Sequence, residues 1–200
     1  MTCFSNFVGP LRGIFVGNLL LLFCSVFYLA WWIISFRPNS SGGLVSVLIS
    51  MFFITAASIT GVVAIVWMSG GINTLSQDSN SMPVGLILLG GAVLMFVVLL
   101  VTTFVFHRTA TLELILINGW AVLELSAVAV LYGTGHFGPG RAVILALLVG
   151  IATIVGLICY VLYYRLDKTA SYWIGMIPLI MDAFVMAVFL GMLAVHNIHR

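Results

Sequence analysis

Residues 112–133 read LELILINGWAVLELSAVAVLYG, and their reading decides the fold. The stretch is apolar on nearly every side, holds no Lys, Arg or His, and carries Glu124 close to its middle. A helix that crosses a bilayer needs about 20 such residues, whereas a barrel strand takes about 10 and alternates in polarity. Length and continuous apolarity therefore predict a membrane-spanning helix. Working outward, five more stretches repeat the pattern, at approximately 13–36, 44–69, 84–106, 142–164 and 172–195. The expected fold is an all-α integral membrane protein, a compact bundle of about six transmembrane helices with short loops. Residues 1–200 form one polytopic membrane domain in this reading.

Composition agrees. Of the 200 residues 63% are hydrophobic and only 6% charged, and mean hydropathy is +1.28. A soluble domain carries roughly 25% charged residues, so a chain this apolar needs lipid around it. The formal charge of +2 is small and scattered, which excludes a nucleic-acid surface. No Lys/Arg cluster is present to read anionic headgroups. Cys3, Cys24 and Cys159 show no metal or redox spacing, and two lie inside apolar segments, where cysteine behaves as a small hydrophobe. The first segment is too long for a signal-peptide core of about 7–15 residues and ends in Arg37-Pro38 without a small-x-small site, so it reads as a retained span.

Breaks between the segments are marked by turn chemistry: Arg37 to Gly43, the Ser/Asn/Gly-rich stretch 70–83 as the longest loop, His107-Arg108-Thr109, 133–140 with Pro139, and a charged turn over 165–171. Connections this short favour antiparallel neighbours. Six spans put both termini on one side, with Arg12, Arg141 and Arg200; Arg37, Arg108, Arg165 and Lys168 fall on the other. The 70–83 stretch has one Asp and no Lys or Arg, so the positive-inside rule places it, and both termini, outside. The bacterial cytoplasmic membrane is the expected setting. The similar endings Phe106-His107-Arg108 and Ile198-His199-Arg200 allow a three-plus-three repeat, although the first and fourth segments share only apolarity.

Glu124 and Asp182 are the informative pair, each near the middle of its span. Charge is costly in lipid, and an intramembrane acid is a functional-site hypothesis by default. None of the seven Lys and Arg residues lies mid-span to neutralise them. Three arrangements relieve the cost: neutral acids, a water-filled cavity, or a bound cation, proton in transit or organic amine. At about 100° per residue, Glu113, Trp120 and Glu124 share one stripe of their helix. Trp120, one turn before Glu124, offers an aromatic face suited to an amine, and Tyr28, Trp31 and Trp32 could add walls. Asn118 makes the helix polar on a second side. Asn18 and Asn118 read most simply as interhelical glue. Pro178, one turn before Asp182, removes a backbone hydrogen bond and is the expected hinge, with the carbonyl of Ile174 released. The pairs Gly13/Gly17 and Ala57/Gly61, and the run Ala183/Ala187/Gly191, are small-residue packing faces. His196 and His199 are three apart but lack a third metal ligand, so no metal is expected, and no cofactor motif is present.

The candidate ligand-binding set is thus Glu124, Asp182, Trp120, Glu113 and Asn118, with Pro178 as hinge and no catalytic residue. It implies a small transporter, channel or substrate-binding membrane subunit for a cation, a proton-coupled solute or a lipophilic amine. Partners are the bilayer and, because six short spans enclose only a narrow path, a second copy or another membrane subunit. The alternatives are a structural or assembly protein with neutral buried acids and, with less support, an intramembrane lipid-modifying enzyme using the acids and His136.

Overall fold

A computed structural model describes residues 9–38, 43–78, 83–105 and 112–198. They form six helices: α1 (Pro10–Ser35), α2 (Leu44–Asp78), α3 (Pro83–Leu100), α4 (Leu112–Gly133), α5 (Pro139–Tyr163) and α6 (Lys168–Ile198). α3 runs on into a π-helical turn, Val101–Val105, and no strand occurs among the described residues. All six helices are long and apolar enough to cross a membrane. The chain is an integral multi-pass membrane protein.

Several ends differ from the sequence expectation. The stretch 70–83 is mostly helix rather than loop, because α2 continues to Asp78. Its 35 residues exceed a span of about 20. The added turns are held by packing, with Ile72 and Leu75 buried in the main core. α6 starts at Lys168, which absorbs most of the expected turn over 165–171. α5 begins at Pro139 directly after Gly138, a proline position suited to a helix start. The repeat endings at 106–108 and 199–200, the 107–109 connection, Cys3 and the side chain of His196 lie outside the described residues.

Five helices close a ring in the order α1, α2, α4, α5, α6, and α3 lies outside it against α4. Consecutive helices pack together except α2 and α3, which share at most marginal contact among the described residues. The main core fills the ring with Ile14, Leu21, Met68, Val130, Leu145, Phe189 and their neighbours.

The α1–α2 seam is the tightest. A Cβ on Gly17 would stand 2.8 Å from the Met68 Cβ, and one on Gly13 would stand 3.1 Å from the Gly71 Cα. Further along, Cys24 faces Gly61, Phe27 meets Phe53 with ring centroids 6.2 Å apart, and Ser35 pairs with Ser50. Numbers rise on α1 as they fall on α2, so the two run antiparallel along their whole shared length. Gly13, Gly17 and Gly61 thus pack as the small-residue pattern implied. The α6 run does not: Ala187 and Gly191 are exposed, with nothing among the described residues within 4 Å of a Cβ built on Gly191.

The α4–α5 connection folds back into the bundle. Gly135 takes a positive φ of 74° and Phe137 N–H bonds to the Leu131 carbonyl at 2.9 Å. Phe137 is only 2% exposed and packs on Phe189.

Candidate functional site

Glu124 is fully buried, 0% exposed, on the face of α4 that looks into the ring. Its one hydrogen bond among the described residues comes from Asn18 on α1, also 0% exposed. The Asn18 Nδ2 donates to Glu124 Oε2 at 3.5 Å, longer than the usual range of about 2.7–3.2 Å, and approaches Met68 Sδ of α2 at 3.8 Å. Three helices therefore bring their polar atoms to one point.

A fourth contributes Asp182. Its neighbours on α6, Met181 and Val185, pack with Trp120 and Ala121 of α4 and Val149 and Ala152 of α5. Asp182 is partly buried and lies close enough to Glu124 for the two carboxyl groups to interact electrostatically. No basic side chain joins them among the described residues.

The site is left short of partners. Glu124 Oε1, Asn18 Oδ1 and Trp120 Nε1 are buried without a hydrogen-bond partner among the described residues. Two of these are acceptors with no donor. An ionised carboxylate held by one long hydrogen bond in an apolar core costs several kcal/mol on the order-of-magnitude scale for buried ions. Such a site is relieved by a proton on the carboxyl, by water, or by a cation that takes oxygen ligands.

Of the other expected residues, Trp120 and Pro178 stay near the acids in sequence and space, and Glu113 and Asn118 do not join them. Trp120 is wedged between the main core and a smaller cluster of Ala121, Val149, Ala152 and Val185, so packing fixes its ring. Glu113 is exposed in the first turn of α4, where a carboxylate suits the positive helix end. Eleven residues separate it from Glu124, about 16 Å along the axis, and its electrostatic neighbour is Tyr28. Asn118 points to α3, where its Nδ2 donates to the Gly91 carbonyl at 3.2 Å. Pro178 sits inside α6, which stays continuous through it. Tyr28, Trp31 and Trp32 gather with Phe36 and Tyr163 at the far end of α1. Trp32 Nε1 there donates to the Tyr172 carbonyl at 3.1 Å, tying α1 to α6.

The sequence reading passed over Asn18 as a member of the site. Its signal was legible all the same, as a lone strongly polar side chain in the interior of the first span. No group of three or more His, Cys, Asp or Glu that could hold a metal occurs among the described residues. His136 Nδ1 shares a hydrogen bond with Thr134 Oγ1 at 2.8 Å in the α4–α5 connection, on a different part of the chain from the acids.

No protein-family model, curated protein or solved structure matches this chain. Fold and site define the class as a multi-pass helical membrane protein with a buried polar centre.

Proposed function

We propose that this protein is a small transporter, channel or substrate-binding membrane subunit that takes up a cation or a coupled proton at Glu124. Asp182 is its electrostatic partner and Asn18 holds the carboxylate in place. The observation that carries the reading is Glu124 itself. It is fully buried and, among the described residues, has one long hydrogen bond and leaves Oε1 and the Asn18 Oδ1 without donors. A ligand bearing positive charge supplies what those two oxygens lack. A proton, a monovalent cation and a lipophilic amine all meet that chemical requirement, and Trp120 beside the site suits the amine. The expected setting remains a bacterial cytoplasmic membrane with both termini outside and a second copy or partner subunit alongside.

The test is flux in vesicles holding the purified protein, read with proton- and cation-sensitive dyes. Glu124→Gln and Asp182→Asn keep shape and hydrogen-bonding capacity but cannot carry negative charge. Loss of flux in folded variants is the expected result, and unchanged flux in both sinks the proposal.

The Asn18–Glu124 hydrogen bond also favours a second reading, in which a neutral Glu124 is interhelical glue in a structural or assembly protein. Here both amide variants fold and perform as the parent does, in whatever assembly they serve.

A further inference from the structure

On the outer side of the α1–α2 seam lies a groove of about 450 Å³, at the end of the first two spans. Its floor is backbone, because Gly13 and Gly71 let the helices touch there. Arg12 stands on one wall, exposed, with no ion-pair or side-chain hydrogen-bond partner among the described residues. Trp67 stands on the other, 44% exposed. The groove reaches Gly9, where α1 begins without a side-chain cap, so that its positive helix end opens at the same place. In the opposite direction it passes Val66, 66% exposed, and leads onto the apolar flank of α2 at Val62 and Ile59.

These features are polar at one end and apolar at the other, in the order that an amphiphile presents them. We propose that the groove binds one anionic phospholipid. Its phosphate lies against the Arg12 guanidinium and the start of α1, and an acyl chain runs along Val66 toward Val62. An indole beside a headgroup suits the interfacial position of Trp67. One guanidinium in a shaped groove replaces the basic cluster that a flat surface needs. Charge complementarity argues for this occupant: the groove offers a cation, an uncapped helix start and no counter-charge among the described residues. The inference is independent of Glu124, which lies deeper in the ring.

Gly70 provides a sharp test. It lines the groove, yet a Cβ built on it meets nothing within 4 Å among the described residues, so a larger side chain fills the groove without forcing the helices apart. The experiment is native mass spectrometry of the purified protein with added phosphatidylglycerol, phosphatidylcholine or inorganic phosphate. The wild type, Arg12→Gln and Gly70→Leu are compared after far-UV circular dichroism shows the same helicity. The wild type is expected to retain one phosphatidylglycerol; Arg12→Gln is expected to lose occupancy about fivefold, the scale of one basic residue at an anionic surface, and Gly70→Leu to lose it because the added side chain fills the groove. Full occupancy in Gly70→Leu means unspecific surrounding lipid and overturns the groove assignment. Equal retention of phosphatidylcholine overturns the anionic preference. Displacement by inorganic phosphate identifies a free anion rather than a lipid as the ligand and overturns the acyl-chain half of the proposal. Should Arg12→Gln fail to fold, Gly70→Leu alone decides.

Discussion

Asn18 Nδ2 stands 3.5 Å from Glu124 Oε2, joining the first helix to the fourth across 106 positions of sequence. Both side chains are fully buried, and each keeps one oxygen without a partner among the described residues. The pair is underserved as a structural bond, which is why a ligand suits it.

The pair predicts a non-additive pattern of stability. Asn18→Leu leaves Glu124 buried without its donor, and an orphaned polar group costs about 1–3 kcal/mol. Replacing both residues by Leu removes the orphan and recovers most of that loss. Reversible unfolding in mixed micelles of the two single variants and the double variant reads the coupling. Additive losses show that the 3.5 Å approach is mere proximity.

The α1–α2 seam predicts a contrast between two glycines, Gly17 packed against α2 and Gly70 facing open space. Gly17→Ala pushes a methyl to 2.8 Å from the Met68 Cβ, an overpacking that costs about 1–3 kcal/mol. Gly70→Ala meets open space and gains helix propensity, so stability holds or rises by up to about 1 kcal/mol. Thermal unfolding of both variants in one detergent checks the order. Equal losses mean that the seam can relax around an added methyl.

Asn118 separates the structural amide from the site amide. Asn118→Leu breaks the bond to the Gly91 carbonyl and loosens α3 from α4, at about 0.6–1.7 kcal/mol for a polar bond between membrane helices. Under the proposed function, vesicle flux in Asn118→Leu stays at the parental level. A flux loss as large as that of Glu124→Gln returns Asn118 to the site.

Span number and helical class were legible because length and apolarity act locally, residue by residue. The end of α2 was not. Ser, Asn and Gly over 70–77 carry loop chemistry, and only burial of Ile72 and Leu75 by distant residues keeps them helical. The acids were legible as a depth, since each sits near the middle of its helix. Which asparagine meets them was not, because helical phase fixes direction within one helix but says nothing of which neighbour stands there. The ring order puts α3 beside Asn118 and α1 beside Glu124, and no periodicity encodes that order. The small-residue run on α6 shows the same gap from the other side. Ala187 and Gly191 have the spacing of a packed face and remain exposed.

Phe137 predicts the largest single loss. It belongs to a connection, not to a spanning helix, yet it is 2% exposed and closes the end of the core against Phe189 at a ring-centroid distance of 6.0 Å. Gly135 at φ 74° and the Phe137 N–H bond to the Leu131 carbonyl turn it inward. Truncation to Ala leaves a cavity that both α4 and α6 would have to collapse to fill, and Phe→Ala in a core costs about 3–5 kcal/mol. The lower end, about 3 kcal/mol, is expected here, because lipid or detergent competes with the core for apolar groups more evenly than water does. Tyr132→Ala is the control: it removes a ring that is 52% exposed, five residues earlier, and should change little. Thermal unfolding in detergent compares the two. If Phe137→Ala and Tyr132→Ala fall together, the connection is not part of the core, and the bundle is closed at that end by the helices alone.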